Sequence, residues 1–103
     1  MREIQKKVNN MIKKYDLNNS IEMRFIDLVS EVGELGKEIL KSNDYGKIEF
    51  SKTENIKSEI GDVLFSLVCI ANELDIDLKD TLDEVIAKYD SRFLEKGNIE
   101  SGR

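Results

Sequence analysis

Histidine is absent from the 103-residue sequence, and cysteine occurs once, at Cys69. Without imidazole the chain can form neither a Ser-His-Asp triad nor a zinc site built from Cys and His ligands. A lone cysteine cannot form a disulfide within the chain, and its apolar neighbours predict a buried thiol. Acid, base or metal chemistry in this protein must therefore depend on carboxylates.

Proline is absent as well, and only six glycines are present. The sequence also lacks the sustained alternation of apolar and polar residues that is typical of strands. Its longest apolar run, residues 63–71, is far shorter than the roughly 20 residues that a membrane-spanning helix needs. These absences predict an all-α fold of helices joined by short polar turns, in a soluble, cytoplasmic protein with no membrane partner.

The charge balance is acidic, with 16 basic and 21 acidic residues and a net charge of -5. A protein that binds nucleic acid through phosphate contacts usually presents a clustered basic face, whereas the basic residues here are interspersed with acidic ones. Nucleic acid is therefore not an expected partner. A polyanionic ligand would need local cations or a bound metal to offset repulsion.

Apolar residues recur at three- and four-residue spacing through most of the chain and predict four helices. Ser20 is a suitable N-cap for the second helix, and Gly97 is a suitable C-terminal stop for the fourth. The polar segment 42–51 is the predicted loop. We predict one domain over residues 1–97 and a frayed tail over 98–103. The predicted helices run approximately over Arg2–Tyr15, Ser20–Lys41, Lys52–Leu74 and Leu78–Lys96.

The third predicted helix has a broad apolar face, which indicates the centre of a bundle or a subunit interface. Its members are Ile56, Ile60, Val63, Leu64, Leu67, Ile70, Ala71 and Leu74. Three aromatic residues elsewhere in the pattern, Phe25, Phe65 and Tyr89, are expected to pack in the core rather than to stack on a nucleobase.

Two pairs of acids lie along the edges of the apolar stripes, Glu31 and Glu34 on the second helix and Glu59 and Asp62 on the third. Packing the two stripes together would bring four carboxylates close to one another. Such a cluster is unfavourable without a cation, because like charges repel. Oxygen ligands suit Mg²⁺ or Mn²⁺ rather than zinc, and Mg²⁺ commonly recruits substrate phosphates. The alternative for each pair taken alone is an ordinary solvated helix face.

Glycines accompany both acidic pairs within the predicted helices, at Gly33, Gly36 and Gly61. Each costs about 1 kcal/mol relative to alanine in a helix interior. Small residues at these positions would let a neighbouring helix or a ligand approach closely.

The acidic pairs also carry a resemblance to a known family. Glu31-Val-Gly-Glu34 followed by Glu59-Ile-Gly-Asp62 resembles the ExxE and ExxD motifs of MazG-like nucleoside triphosphate pyrophosphohydrolases. Residues 71–78 resemble the connector into the last helix of that family, and residues 88–93 resemble its KFxxRF-like ending. The resemblance extends from about Phe25 to Phe93, which is most of the chain.

The resemblance implies a four-helix-bundle-like subunit with antiparallel helices, completed by oligomerisation into a homodimer or homotetramer. It implies that the four acids bind Mg²⁺, with Mn²⁺ as a possible substitute, and that Lys88 and Arg92 contact substrate phosphate. Either Glu31 or Glu34 would act as general base. Many relatives have an asparagine two residues before the lysine, where this chain has Ile86.

The implied reaction converts a nucleoside triphosphate into a nucleoside monophosphate and pyrophosphate. Two further candidate residues have alternatives: Asn72 reaches a ligand or binds a neighbouring backbone, and Lys37 screens phosphate charge or pairs with Glu38. The alternative functions are a related phosphoribosyl-ATP pyrophosphohydrolase and a non-catalytic helical module for oligomerisation. The motif spacing favours the MazG-like branch.

Overall fold

The computed structural model describes residues 2–96. Within that range the chain forms four α-helices and no strand, as the sequence predicts. The helices are α1 (Arg2–Lys14), α2 (Ile21–Ser42), α3 (Glu54–Glu73) and α4 (Leu78–Lys96). The proposed stop at Gly97 and the proposed tail lie outside the described residues. None of the four helices combines the length and apolar composition needed to cross a membrane.

Side-chain caps fix where the two central helices begin. The Ser20 hydroxyl accepts a hydrogen bond from the Met23 amide at 3.2 Å, which confirms the predicted N-cap. The Thr53 hydroxyl accepts one from the Ile56 amide at 3.2 Å. Because Thr53 is extended and caps from outside the helix, α3 begins two residues later than the predicted start at Lys52.

The loop between α2 and α3 reverses the chain through left-handed backbone. Asp44, Tyr45 and Gly46 have φ values of 48°, 57° and 92°. Short polar residues and glycine adopt this region most readily, so Asp44 and Gly46 suit the turn. The loop then returns to Thr53 without further helix.

Helices α2 and α3 run antiparallel and form the main helix pair of the molecule. Arg24 near the start of α2 lies beside Cys69 and Glu73 near the end of α3. Further along α2, Glu31 lies beside Glu59, near the start of α3. This antiparallel arrangement places the two acidic stripe edges side by side, as the sequence predicts.

The core is small and lies where α1 crosses α3. Val8 of α1 packs with Val68 and Cys69 of α3, and Val68 is fully buried. Ile12, Phe65 and Leu78 pack around this cluster. The predicted burial of the Cys69 thiol is confirmed, and burial raises its pKa. Each fully buried aliphatic side chain of this kind contributes about 1.5–3 kcal/mol.

Large apolar faces remain uncovered in a single chain. The Cα radius of gyration is 16.9 Å, whereas a compact chain of this length has a radius of about 13 Å. Of the face predicted on α3, four members are exposed: Ile60, Leu64, Leu67 and Leu74. The expectation that Phe25 and Tyr89 pack in the core is wrong for the single chain, since both are exposed. Tyr89 is exposed because α4 contacts the rest of the chain mainly through its first turn.

Candidate metal centre

Three of the predicted acids meet between α2 and α3. Glu31 of α2 and Glu59 and Asp62 of α3 each offer a carboxylate oxygen, and these oxygens all lie within 4.8 Å of one another. Glu31 and Glu59 are half-buried, whereas Asp62 is exposed. The cluster is therefore walled by two helices and open to solvent on one side.

Within this cluster, the Glu59 carboxyl has an unpaired buried oxygen and a raised pKa. Its Oε2 atom is buried without a hydrogen-bond partner. Burial raises the pKa of the Glu59 carboxyl, and the negative charges of Asp62 and Glu31 raise it further. Glu34 and Glu38 add to the same effect. A buried carboxylate oxygen that has no hydrogen-bond partner and is surrounded by other carboxylates destabilises the fold, unless a cation offsets the negative charge.

The donor set fits a hard divalent cation. All ligating atoms in the cluster are carboxylate oxygens, the donors that Mg²⁺ and Mn²⁺ prefer. The exposed side leaves room for water and phosphate oxygens in the remaining coordination positions. Glu31, Glu59 and Asp62 are thus the residues that could hold such an ion.

The fourth predicted ligand, Glu34, does not join this group. It is exposed and lies outside the set of oxygens within 4.8 Å, although its charge still acts on Glu59. Glu38, one turn further along α2, is not among the site residues that the sequence predicts. Its side chain is 17% exposed and pairs with Lys41 at 3.5 Å. Helical spacing from Glu31 and Glu34 places it on the same face, which is the signal that could have identified it.

Open space surrounds the glycines that accompany the acids. A Cβ atom added at Gly33, Gly36 or Gly61 would meet no other atom within 4 Å. Within residues 2–96 these glycines therefore do not serve the close approach of a neighbouring helix. The surface around them is open and could receive a ligand or another subunit.

The two predicted phosphate ligands lie together on α4. Lys88 Nζ is 5.1 Å from the centre of the Tyr89 ring, and Arg92 Cζ is 5.9 Å from it. Within residues 2–96 neither cation forms an ion pair with an acid. The charges with the largest effect on Glu59 are all carboxylates. A single chain does not pair these cations with the acids.

The remaining candidates have different surroundings. The Asn72 side-chain amide donates a hydrogen bond to the Gln5 backbone carbonyl at 3.0 Å, which is the backbone-binding alternative. Lys37 is exposed, and it is Lys41 rather than Lys37 that pairs with Glu38. Asn72 therefore has a structural contact, whereas Lys37 is available to solvent.

Sequence patterns did not reveal the network that Asn72 belongs to. Its partner Gln5 lies on α1, and both side chains are hydrogen bonded to each other and to backbone groups. Arg2 makes an adjacent pair of contacts with Asp77 and Asp80. These contacts join opposite ends of the sequence, so helical periodicity carries no signal for them.

Four helices with a carboxylate cluster suited to a divalent cation, formed by an antiparallel helix pair, are typical of all-α nucleotide pyrophosphohydrolases. Residues 20–94 match the family profile of the MazG nucleotide pyrophosphohydrolase domain. The chain belongs to the MazG family, and it is a hydrolase that acts on phosphoric anhydride bonds.

Individual relatives agree with this assignment. YpjD of Bacillus subtilis (strain 168) is 38% identical over 96 residues, which cover 89% of this chain and 85% of that protein. The crystal structure of YpjD has a TM-score of 0.74 to this chain, with 89% of this chain and 94% of that chain covered. A Bacillus-conserved MazG protein described as a nucleotide pyrophosphohydrolase is 32% identical, with a TM-score of 0.73 and coverage of 85% and 86%.

Proposed function

We propose that this single-domain protein hydrolyses a nucleoside or deoxynucleoside triphosphate to the monophosphate and pyrophosphate, with Mg²⁺ as its cofactor and Mn²⁺ as a substitute. The observation that supports this most strongly is the buried Oε2 of Glu59, which has no hydrogen-bond partner and lies among carboxylates. Nucleoside triphosphates are cytoplasmic metabolites, so the activity also implies a cytoplasmic enzyme.

In this proposal Glu31, Glu59 and Asp62 hold the divalent cation. When bound, the cation supplies positive charge that attracts the phosphate oxygens and offsets the charge that develops as pyrophosphate leaves. The two helices fix the carboxylates from the buried side. Substrate enters from the exposed side, next to Asp62.

Glu34 is the acid available for proton transfer. It is exposed, and it lies near enough to raise the pKa of Glu59 while standing outside the three-residue cluster. In the proposed step, a water oxygen forms a bond to phosphorus as the anhydride P–O bond between the α- and β-phosphates breaks. The water proton passes to an Oε atom of Glu34. Glu31, the other candidate base, is one of the three proposed ligands of the cation and is therefore not available to accept the proton.

Lys88 and Arg92 contact the triphosphate from α4 in the same proposal, and a second copy of the chain completes the site. The accessible surface area is 7872 Å², about 2,000 Å² more than the roughly 5,900 Å² expected of a compact chain of this mass. Obligate homodimer interfaces bury about 2,000–5,000 Å² in total. The exposed apolar faces of α2, α3 and α4 thus suit a homodimer or homotetramer, with substrate contacts from more than one subunit.

The test is a panel of canonical and modified ribo- and deoxyribonucleoside triphosphates, with phosphoribosyl-ATP included, incubated with Mg²⁺ or with EDTA. Products are identified by ³¹P NMR. Mg²⁺-dependent pyrophosphate from one or more nucleoside triphosphates is the expected result and defines the base and sugar preference. Release from phosphoribosyl-ATP alone would support the alternative function, a phosphoribosyl-ATP pyrophosphohydrolase. Orthophosphate as first product, or no turnover, would contradict the proposal.

A further inference from the structure

The side chain of Gln5 joins three segments of the chain. Its Nε2 atom donates to Asn72 Oδ1 at 3.0 Å and to the Ile76 carbonyl at 2.8 Å. Its Oε1 atom accepts from the Leu78 amide at 2.8 Å. Asn72 donates in return to the Gln5 carbonyl. One residue of α1 is thereby bonded to the end of α3, to the connector and to the first residue of α4.

Arg2 adds a second attachment one turn earlier on α1. Its Nε atom donates to Asp77 Oδ2 at 2.6 Å, and its Nη2 atom donates to Asp80 Oδ1 at 2.9 Å. Asp77 Oδ1 in turn accepts from the Asp80 amide at 3.0 Å and so caps α4. Exposed ion pairs contribute little stability individually. Here these ion pairs matter for geometry, because Arg2 holds the start of α4 at two points, Asp77 and Asp80.

A groove of about 370 Å³ lies beside these residues, but two of the side chains that line it, Gln5 and Asn72, have no free polar group for a ligand. Both N–H groups of Gln5 and its carbonyl oxygen are already used within the protein. Asn72 is likewise bonded as donor and acceptor. Gln5 and Asn72 therefore serve to attach α4 to the end of α3 and to α1.

Within one chain, α4 has little support beyond its first turn, and the second copy proposed above meets the helix at the angle that this turn sets. Leu78 packs against the core cluster, but further along the helix the apolar side chains are largely exposed. The exposed members are Leu82, Ile86, Tyr89, Phe93 and Leu94. At 1.5 Å per residue, Lys88 is about 15 Å from Leu78 and Arg92 about 21 Å, so a tilt of about 10° at the first turn moves either by about 3 Å.

We propose that Gln5, assisted by Arg2, is a positioning residue for hydrolysis: it fixes the direction of α4 and thereby places Lys88 and Arg92 for contact with the substrate phosphates. This inference rests on the proposed role of those two cations. Displacement of a substrate-contacting group by as little as 1 Å can reduce turnover by about 100-fold. Gln5 itself touches no substrate atom.

The first experiment compares Gln5→Ala with Asn10→Ala, a control at an exposed α1 position outside this network. Gln5→Ala is expected to raise KM for the triphosphate by about 10-fold or more, while Mn²⁺ affinity of the acidic cluster stays unchanged. Asn10→Ala leaves both constants near the wild-type values. Should Gln5→Ala fail to fold, Gln5→Glu serves instead, because it retains the acceptor for the Leu78 amide and loses both donors.

A combined variant shows whether Gln5 acts through the two cations. If it does, adding Gln5→Ala to a Lys88→Ala/Arg92→Ala variant leaves KM unchanged, because both cations that Gln5 positions are already gone. If Gln5→Ala still raises KM when the cations are absent, the inference is overturned. A raised KM in Lys88→Ala with a normal KM in Gln5→Ala would overturn it while leaving the proposed function intact. A normal KM in Lys88→Ala would overturn both the inference and the proposed role of that cation.

A distance measurement tests whether Gln5 fixes the direction of α4, and it does not depend on enzymatic activity. Spin labels on Lys57→Cys of α3 and Leu94→Cys of α4, in a Cys69→Ser background, are diluted with unlabelled protein so that distances within one chain dominate. Electron paramagnetic resonance should give a distance distribution that broadens or shifts when Gln5→Ala is added. An unchanged distribution would overturn the inference, whatever the enzyme hydrolyses.

Discussion

Glu31 and Glu59 lie on different helices and bring carboxylate oxygens within 4.8 Å of each other, with no cation among the charges that act most strongly on Glu59. The fold therefore holds together groups that repel, and the raised pKa of Glu59 reflects this. This repulsion lowers the stability of the metal-free fold, and a bound divalent ion would offset it.

Glu59→Gln should stabilise the metal-free protein at neutral pH. Because the folded state raises the Glu59 pKa, the unfolded chain ionises first as pH rises, and the fold loses stability above the ordinary glutamate pKa. Glutamine removes that penalty, so Tm in EDTA should exceed the wild-type value at pH 7. The difference should vanish at pH values below the ordinary glutamate pKa, where both forms are uncharged.

Added Mn²⁺ should reverse the order in the same melting experiment. The wild-type Tm should rise with metal concentration, as expected when a ligand binds only the folded state. The Glu59→Gln Tm should change little. Glu84→Gln, at an exposed α4 position, is the matched control and should follow the wild type. A lower metal-free Tm for Glu59→Gln would show that the carboxylate has a stabilising partner instead.

Asp77→Asn should lower stability at neutral pH only. The hydrogen bond from the Asp80 amide, followed by the contact with Arg2, lowers the Asp77 pKa. The stabilisation is therefore present above the ordinary aspartate pKa and is lost as pH falls through the lowered value. Thermal melts should show a deficit of a few degrees at pH 7 that closes in acid and shrinks in high salt. A deficit that persists unchanged in acid would indicate that the loss is not electrostatic.

Gly61→Ala should make the protein more stable and less active. No neighbouring atom obstructs a Cβ at this exposed helix position, so the free energy of unfolding should rise by about 1 kcal/mol. The open surface at Gly61 is where a ligand or a second subunit would pack against α3, so the added methyl group should lower kcat/KM. Ser91→Ala on α4 is the control and should leave turnover unchanged. Full activity in Gly61→Ala would show that substrate does not use this space.

Leu82→Glu should weaken self-association. Leu82 is exposed and lines an apolar groove with Leu67 and Val85. A buried unpaired carboxylate is strongly unfavourable, so a charge at this position opposes a partner chain that covers the groove. Light scattering should report a smaller species than the wild type. Leu17→Glu, between α1 and α2, is a control of the same chemistry. An unchanged mass for Leu82→Glu would place the interface elsewhere.

Local patterns predicted the helices well because each depends on neighbours in sequence. The Ser20 cap and the span of α4 were correct, and the acidic edges of α2 and α3 met because both follow from helical spacing. The sequence does not predict Thr53 as the cap of α3, because residues 52–55 are all polar and any of them could begin the helix. Sequence periodicity does not distinguish a helix that begins at one of these residues from one that begins at the next.

The remaining features depend on three-dimensional placement. Glu31 and Glu34 both lie along the edge of the apolar stripe of α2, so the sequence pattern does not distinguish them. Only Glu31 joins the cluster, because the two side chains differ in direction by a few tens of degrees about the α2 axis. The contact between Gln5 and Asn72 links distant parts of the chain, so no periodic pattern encodes it. The exposure of Tyr89 likewise depends on how α4 packs against the other helices.

The most direct test of the account is pyrophosphate release by Glu59→Gln and Glu84→Gln, measured side by side with saturating Mg²⁺ on the best triphosphate substrate. Loss of even an outer-shell partner of a metal typically reduces activity by about 10–100-fold, so Glu59→Gln should lose about 100-fold or more in kcat/KM. Glu84→Gln should retain nearly all activity, and both variants should have wild-type circular dichroism spectra. Equal turnover by the two variants would contradict the assignment of catalysis to the cluster between α2 and α3.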